Sequence, residues 1–500
     1  MTIFRKVMLF ICVAAAAAIY CISLFGGFQG TSDSNDYAAL ARNIIEGKGF
    51  IIGHIYPLSY AFFKGMPLAN HMWAPLYPLY QAFWFLLFGA KDNSMQISSI
   101  VLIWSFMLSA YFLGKKILDE KSGMLAAVLI GLSQIVLNTA IDCTPEILAG
   151  ILLTLCVLAL QWGNSGGSVV LSGILFGLTF LTRYQMAIII FPIWLFFFRW
   201  QFTKFLFWCL AAGITIIPWF YFNLVHFGNP IFTLQPYGEI TKGMGRFDDY
   251  YYTYRSLEPI TLFKAFSTFP LAVLKKFIAG IIYFISQLPV HFSFLGFIPF
   301  MYGILKIRNM PDGIKKFFGF SLASLILLIV VSSIGGHHHR YLVTIQVLLT
   351  ISMLIGFLKL LKDLKFTESK MKITILTALL FLPSRAPFQE IRLHSIAVEC
   401  KRDISIYTKV RERTEEDAVI FSDVSDGIWW YARRNAIWIP IRVKDIMKIQ
   451  QLSGAGYVFL RDYKKYISGL KDDELLQFLQ SIELVSVLDN KSGLYKLKKI

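Results

Sequence analysis

Two acids, Asp33 and Asp36, stand in the stretch TSDSNDYAALARNIIEGKGF at residues 31–50, directly after the first apolar run of the chain. Two more, Asp142 and Glu146, lie in NTAIDCTPEILAG, at the mouth between two later apolar runs. Arginines occupy comparable positions: Arg183 in FLTRYQM and Arg340, followed by Tyr341, in GGHHHRYLV. A carboxylate at a membrane surface can act as a base on a substrate delivered by lipid, and arginine is the side chain that grips phosphate with two parallel hydrogen bonds. Each residue also has a plainer use. Asp33 can cap a helix, Glu146 beside Pro145 can complement a helix dipole, and Arg183 can snorkel to an interface. His337, His338 and His339 invite a metal, but neighbours on a helix point about 100° apart, so three in a row cannot reach one ion from a regular backbone. One histidine offered to a phosphate suits that loop better.

The elements that must hold these residues are those of a membrane protein. Of 500 residues 56% are hydrophobic and 16% charged, and the mean hydropathy is +0.59, above the range of ordinary soluble domains. The net charge of +17 does not gather into a groove-sized patch, which argues against a nucleic-acid partner. Many of the basic residues sit in short hinges between apolar runs, the positive-inside pattern. Six cysteines without CxxC spacing imply no disulfide framework.

Length and hydropathy place spans at 7–28, 95–113, 123–140, 146–162, 168–182, 185–199, 204–222, 290–306, 316–334, 341–361 and 371–384, about eleven crossings. Residues 259–289 are apolar but interrupted by Lys264, Lys275, Lys276 and Pro289, and read as a helix lying in the interface. With a cytoplasmic amino terminus, the polar segments 29–94, 223–289 and 385–500 all fall outside. Within the first, Tyr37, Leu40, Ala41, Ile44 and Ile45 form one helical stripe. The last reads as a small α/β module: DAVIFSD and GYVFLRD as strands, GIWWYARRN and DDELLQFLQSI as helices, LVSVLD with LYKLKK as a hairpin. The division is therefore a transmembrane domain over 1–384 and an extracytoplasmic domain over 385–500.

The order of these features resembles the multi-spanning GT-C glycosyltransferases, in particular the group of protein O-mannosyltransferases and lipid A aminoarabinose transferases. The resemblance rests on SDSNDYAALARNIIEGKGF, APLYPLYQAFWFLLFG, LGKKILDEKSGMLAAVLIGLS, TPEILAGILL, LTRY, PWFYFNLVHFGNPIF and HRYLV, which follow in order over about residues 30–345. It implies a polytopic helical fold in a plasma (inner) membrane and transfer of a sugar, with inversion, from a polyprenyl phosphate to a lipid, glycan or protein acceptor. Asp33 matches the first-loop catalytic acid, with Asp36 the alternative, and Glu146 matches the second-loop acid. Arg183, Arg340 and Tyr341 match positions near the donor phosphate, and His71 is grouped with them. No cofactor is required, and a divalent metal is not favoured. In this setting DDYYYTYRS at 248–256 offers rings to stack on sugar, or forms a surface aromatic cluster. A flippase for a lipid-linked sugar, or a polymer ligase, would share the architecture.

Overall fold

The computed structural model describes residues 3–24, 32–66, 68–163, 165–245, 249–364, 401–468 and 472–498. Among them, five helices are long and apolar enough to cross a membrane: Asp92–Ile117, Phe202–Phe227, Pro270–His291, Asp312–Ile334 and the segment His339–Asp363. A sixth crossing is formed if Glu120–Leu132 and Gln134–Ile141, bent by 50°, count as one. Shorter apolar helices cover Val7–Ile22, Glu146–Gln161, Gly166–Thr182 and Tyr184–Phe198, within segments read as spans. The span expected at 371–384 lies outside the described residues.

Two expectations are corrected. Residues 259–289 do not form one interfacial helix: a short helix, Leu262–Thr268, is followed by Pro270–His291, whose 22 residues suffice for a crossing. Of the lysines that argued against this, Lys276 turns inward and donates to the carbonyl oxygens of Glu239 (2.6 Å) and Ile240 (3.1 Å), while Lys275 stays exposed. Residues 290–306 in turn are not a span. The chain bends at Ser293 and Phe294, both at positive φ, and the helix that follows, Phe297–Lys306, has 10 residues, about half of what a crossing needs.

The stretch around the two acids is the helix Ser32–Ile45, buried on all sides from Asp36 to Asn43: Tyr37, Leu40 and Ala41 are enclosed as the apolar stripe implies, and Arg42 and Asn43 on the polar side are enclosed as well. Gly47 and Gly49, both at positive φ, turn the chain back after it. Strand β1 (Ile51–Ile52) then pairs antiparallel with β3 (Leu68–Ala69), while β2 (His54–Ile55) leaves that ribbon for another sheet.

That sheet has six strands in the order β2-β5-β4-β6-β8-β7, where β4 is Val419–Ser422, β5 Asn435–Trp438, β6 Tyr457–Leu460, β7 Ile482–Val487 and β8 Gly493–Leu497. The strand and hairpin segments expected at DAVIFSD, GYVFLRD, LVSVLD and LYKLKK are all present; Asn435–Trp438 and the helix Val443–Ser453 are additions. The boundary drawn at 384/385 is crossed, because the parallel pair His54↔Ala436 and Ile55↔Ile437 makes the first loop an edge strand of the carboxyl-terminal sheet. Arg42 reinforces this docking. Its guanidinium donates to the carbonyls of Trp429 (2.9 Å) and Trp430 (2.7 Å) and stacks 5.0 Å from the Trp430 ring.

Candidate active site

The first loop, the 233–254 segment, the turn after Asp312–Ile334 and the carboxyl-terminal module enclose one cavity of about 970 Å³. Asp33 reaches it from the first turn of Ser32–Ile45, its side chain 28% exposed. What turns the helix so is Tyr37, packed 4.9 Å from the Trp73 ring and 5.0 Å from Tyr77. That is a structural reason for a tyrosine one helical turn after the acid.

Asp33 is ion-paired with Arg340. Burial alone would raise the Asp33 carboxyl, but the Arg340 guanidinium, helped by Lys242, holds it below the usual carboxylate range. Arg340 also approaches Glu146, with Nε 3.2 Å from Oε1, and Glu146 is paired in addition with Arg183. Arg183 lies over the ring of Tyr341 at 4.6 Å. Asp33, Arg340, Glu146, Arg183 and Tyr341 thus form one continuous charged cluster drawn from four separate parts of the chain. Glu146 is fully buried behind the arginines, with Oε2 lacking a hydrogen-bond partner among the described residues, whereas Arg183, Arg340 and Tyr341 line the cavity.

Asp36 behaves differently. Its side chain is 1% exposed; Oδ1 accepts from His54 Nδ1 at 2.8 Å and Oδ2 from Trp73 Nε1 at 3.1 Å. Burial pushes Asp36 up to about 6, partly opposed by His54, and the same contact raises His54 against its own burial. Asp36 does not line the cavity, so the two acids three residues apart are separated by environment.

His71 stays away from the cavity wall. It is buried, with Nε2 2.8 Å from Ser59 Oγ and Nδ1 2.8 Å from the carbonyl of Ala69, and burial lowers it to about 4. Both ring nitrogens are occupied, and His71 is not among the residues that line the cavity. The three histidines diverge: His337 faces the Ser333 carbonyl (3.3 Å), His338 Nε2 meets Lys242 Nζ (3.1 Å) and His339 Nδ1 meets the Tyr283 hydroxyl (2.9 Å). Among the described residues no group of three His, Cys, Asp or Glu side chains could hold a metal ion.

Several lining residues had no assignment from sequence. Lys242 pairs with Glu239 at 3.3 Å, and the two face the cavity from a helix and turn in the 223–289 segment. Tyr251 and Tyr254, by contrast, come from the 248–256 stretch that the sequence offers for stacking on sugar, and they line the cavity beside Tyr56 and Trp438. His54, Asp426 and Asn35 complete the wall toward the module, with Asn35 Nδ2 donating to Asp426 Oδ2 at 2.8 Å. The usable signal was local for Glu239 and Lys242, charges three apart in an otherwise uncharged stretch, and absent for His54, whose partner is 18 residues away.

Comparison with known proteins gives the fold. Residues 72–222 match the family model of dolichyl-phosphate-mannose-protein mannosyltransferases. ArnT from Cupriavidus metallidurans, solved bound to undecaprenyl phosphate, is similar at 12% identity with a TM-score of 0.60, over 99% of this chain and 98% of that one. The Archaeoglobus fulgidus oligosaccharyltransferase, solved with zinc and sulfate, is similar at 14% identity and TM-score 0.56, over 96% of this chain and 72% of that one. From the same organism, the Archaeoglobus fulgidus oligosaccharyltransferase AglB solved with an inhibitory peptide and a dolichol phosphate is similar at 13% identity and TM-score 0.53, over 97% of this chain and 73% of that one. No curated protein sequence matches. The chain has the GT-C glycosyltransferase fold, and the segment that includes Glu146 and Arg183 matches a polyprenyl-phosphate-sugar-dependent mannosyltransferase family within it.

Proposed function

We propose that this chain is a glycosyltransferase that moves a sugar from a polyprenyl-phosphate carrier to an acceptor on the extracytoplasmic side of a plasma membrane. The observation that carries the reading is the pairing at the cavity wall: one solvent-reachable carboxylate, Asp33, beside the guanidinium of Arg340, with Arg183 one contact further on. This is the equipment for an inverting displacement. Asp33 takes the proton of the acceptor hydroxyl, the freed oxygen attacks the anomeric carbon, and the bond from that carbon to the phosphate oxygen breaks. Its electron pair stays on the phosphate, and the added charge falls next to Arg340 and Arg183.

The pairing also supplies an order of events. A phosphate that competes for Arg340 weakens the ion pair that depresses Asp33, so the carboxylate becomes a better base when a donor is in place. In this reading the amino terminus is cytoplasmic, and the first loop, the 233–258 segment and the carboxyl-terminal module share the outer side. The sheet shared by the first loop and the module, and the cavity that all three line, support a common side for them.

The test uses purified enzyme in lipid, a panel of radiolabelled polyprenyl-phosphate sugars and membrane extract as acceptor, comparing the unaltered chain with Asp33→Asn. Transfer that disappears in the variant while donor binding persists supports the reading. Donor carried across the bilayer intact, with its sugar–phosphate bond unbroken, would replace the enzyme with a flippase.

A further inference from the structure

The cavity wall contributed by β2 and the carboxyl-terminal module has no part in the displacement chemistry, yet it is built for a ligand. His54 is 3% exposed, and Asp36 fixes its ring through Nδ1. The opposite nitrogen, Nε2, is buried without a hydrogen-bond partner among the described residues, in a residue that lines the cavity. A buried ring nitrogen left unmatched costs free energy, about 1–3 kcal/mol, unless a bound group completes it.

The surroundings define what that group belongs to. The Tyr56 ring lies 4.6 Å from His54, Trp438 lies 5.7 Å from Tyr56, and Tyr251 lies 5.2 Å from Trp438, so a band of aromatic rings borders the imidazole. Asp426 stands on the same wall, held by Asn35. Aromatic faces take the C–H side of a sugar ring, and carboxylate and imidazole take its hydroxyls. The acid opposes phosphate and carboxylate groups on an incoming molecule.

We propose that this wall is the acceptor site and that its ligand is an uncharged, hydroxyl-rich saccharide, not a phosphorylated lipid headgroup or an acidic polymer. Naming it the acceptor rests on the glycosyl-transfer reading; the saccharide preference does not.

The full chain in lipid nanodiscs, without donor, is titrated with mannotriose, cellotriose and chitotriose, and with trigalacturonic acid and glucose 6-phosphate as charged counterparts, read by saturation-transfer NMR. The expected result is binding of at least one neutral trisaccharide and no binding of the charged sugars. His54→Gln and Trp438→Ala weaken that binding tenfold or more, Trp438→Phe restores most of it, and undecaprenyl phosphate bound in native mass spectrometry stays at the unaltered level in all three. No neutral trisaccharide bound, charged sugars bound as well as neutral ones, or variants that bind like the unaltered chain would each overturn the proposal. Donor cleavage by water remains a separate readout, so failure here and failure of the transferase reading are distinguishable.

Discussion

The two sides of the cavity draw on the same short helix and use its acids in opposite ways. At the arginine-bearing side, Asp33 is 28% exposed and its partner is a charge a phosphate can compete for. At the module side, Asp36 is 1% exposed and its partners, His54 and Trp73, are neighbours no ligand can displace without unfolding the loop. The first arrangement leaves a carboxylate whose partner can be exchanged for a ligand; the second spends a carboxylate on holding an imidazole still. Three residues of spacing on a helix suffice to place one carboxylate at the cavity and the other behind its wall.

The comparison breaks most visibly at Asp33. Replacing it with Asn removes the base and is expected to lower turnover about 10²–10⁴-fold, measured as release of polyprenyl phosphate, with donor affinity changed far less. Arg340→Gln comes next. It withdraws a cation from the departing phosphate, an effect of about 10²–10³ in kcat for a single such donor, and leaves the buried Glu146 with Arg183 alone. Donor affinity therefore falls as well, unlike in Asp33→Asn.

Asp36→Asn tests the module side and is expected to act on stability, by about 1–3 kcal/mol for a buried partner lost to His54, seen as a lower melting temperature. The pH dependence sharpens this. Asp36 and His54 both have folded-state values raised above their ordinary ones. Their contribution to stability is therefore full below about pH 4, falls as pH rises through about 6 for Asp36, and falls further above the ordinary histidine range for His54. Asp33 has the opposite sign: its value is lowered, so its contribution is present above about pH 4 and lost only below it. The melting-temperature gap between the unaltered chain and Asp36→Asn should therefore shrink as pH rises from 5 to 8, which cancels the contributions of the other titrating groups common to both. The smallest expected effect is Arg42→Lys, which keeps the charge but loses one of two carbonyl contacts to Trp429 and Trp430. About 1 kcal/mol of docking is at stake, detectable as faster proteolysis of the carboxyl-terminal module.

Much of this was legible before any coordinates. The Ser32–Ile45 helix announces itself by an apolar stripe at helical spacing, and the long spans by uninterrupted hydrophobicity. Asp33, Glu146, Arg183 and Arg340 stood out because charges beside apolar runs are costly and so are rarely idle. What remained hidden depends on partners far away in sequence. Lys276 looked like a bar to a crossing because nothing local shows that it caps carbonyls of residues 239 and 240. Two residues, His54 and Ile55, carry no strand signal of their own and become β2 only against Asn435–Trp438. His71 had the type and place of a phosphate ligand, and only its two hydrogen bonds reveal that it is spoken for.

The most direct test of the central claim sets Asp33→Asn beside Asp36→Asn in one assay, cleavage of a labelled undecaprenyl-phosphate sugar by water in nanodiscs, with melting temperatures recorded in parallel. Asp33→Asn is expected to abolish cleavage while donor still binds, whereas Asp36→Asn melts lower and keeps cleavage within about tenfold of the unaltered chain. Cleavage that survives in Asp33→Asn and vanishes in Asp36→Asn would contradict it and move the base to the Asp36–His54 pair.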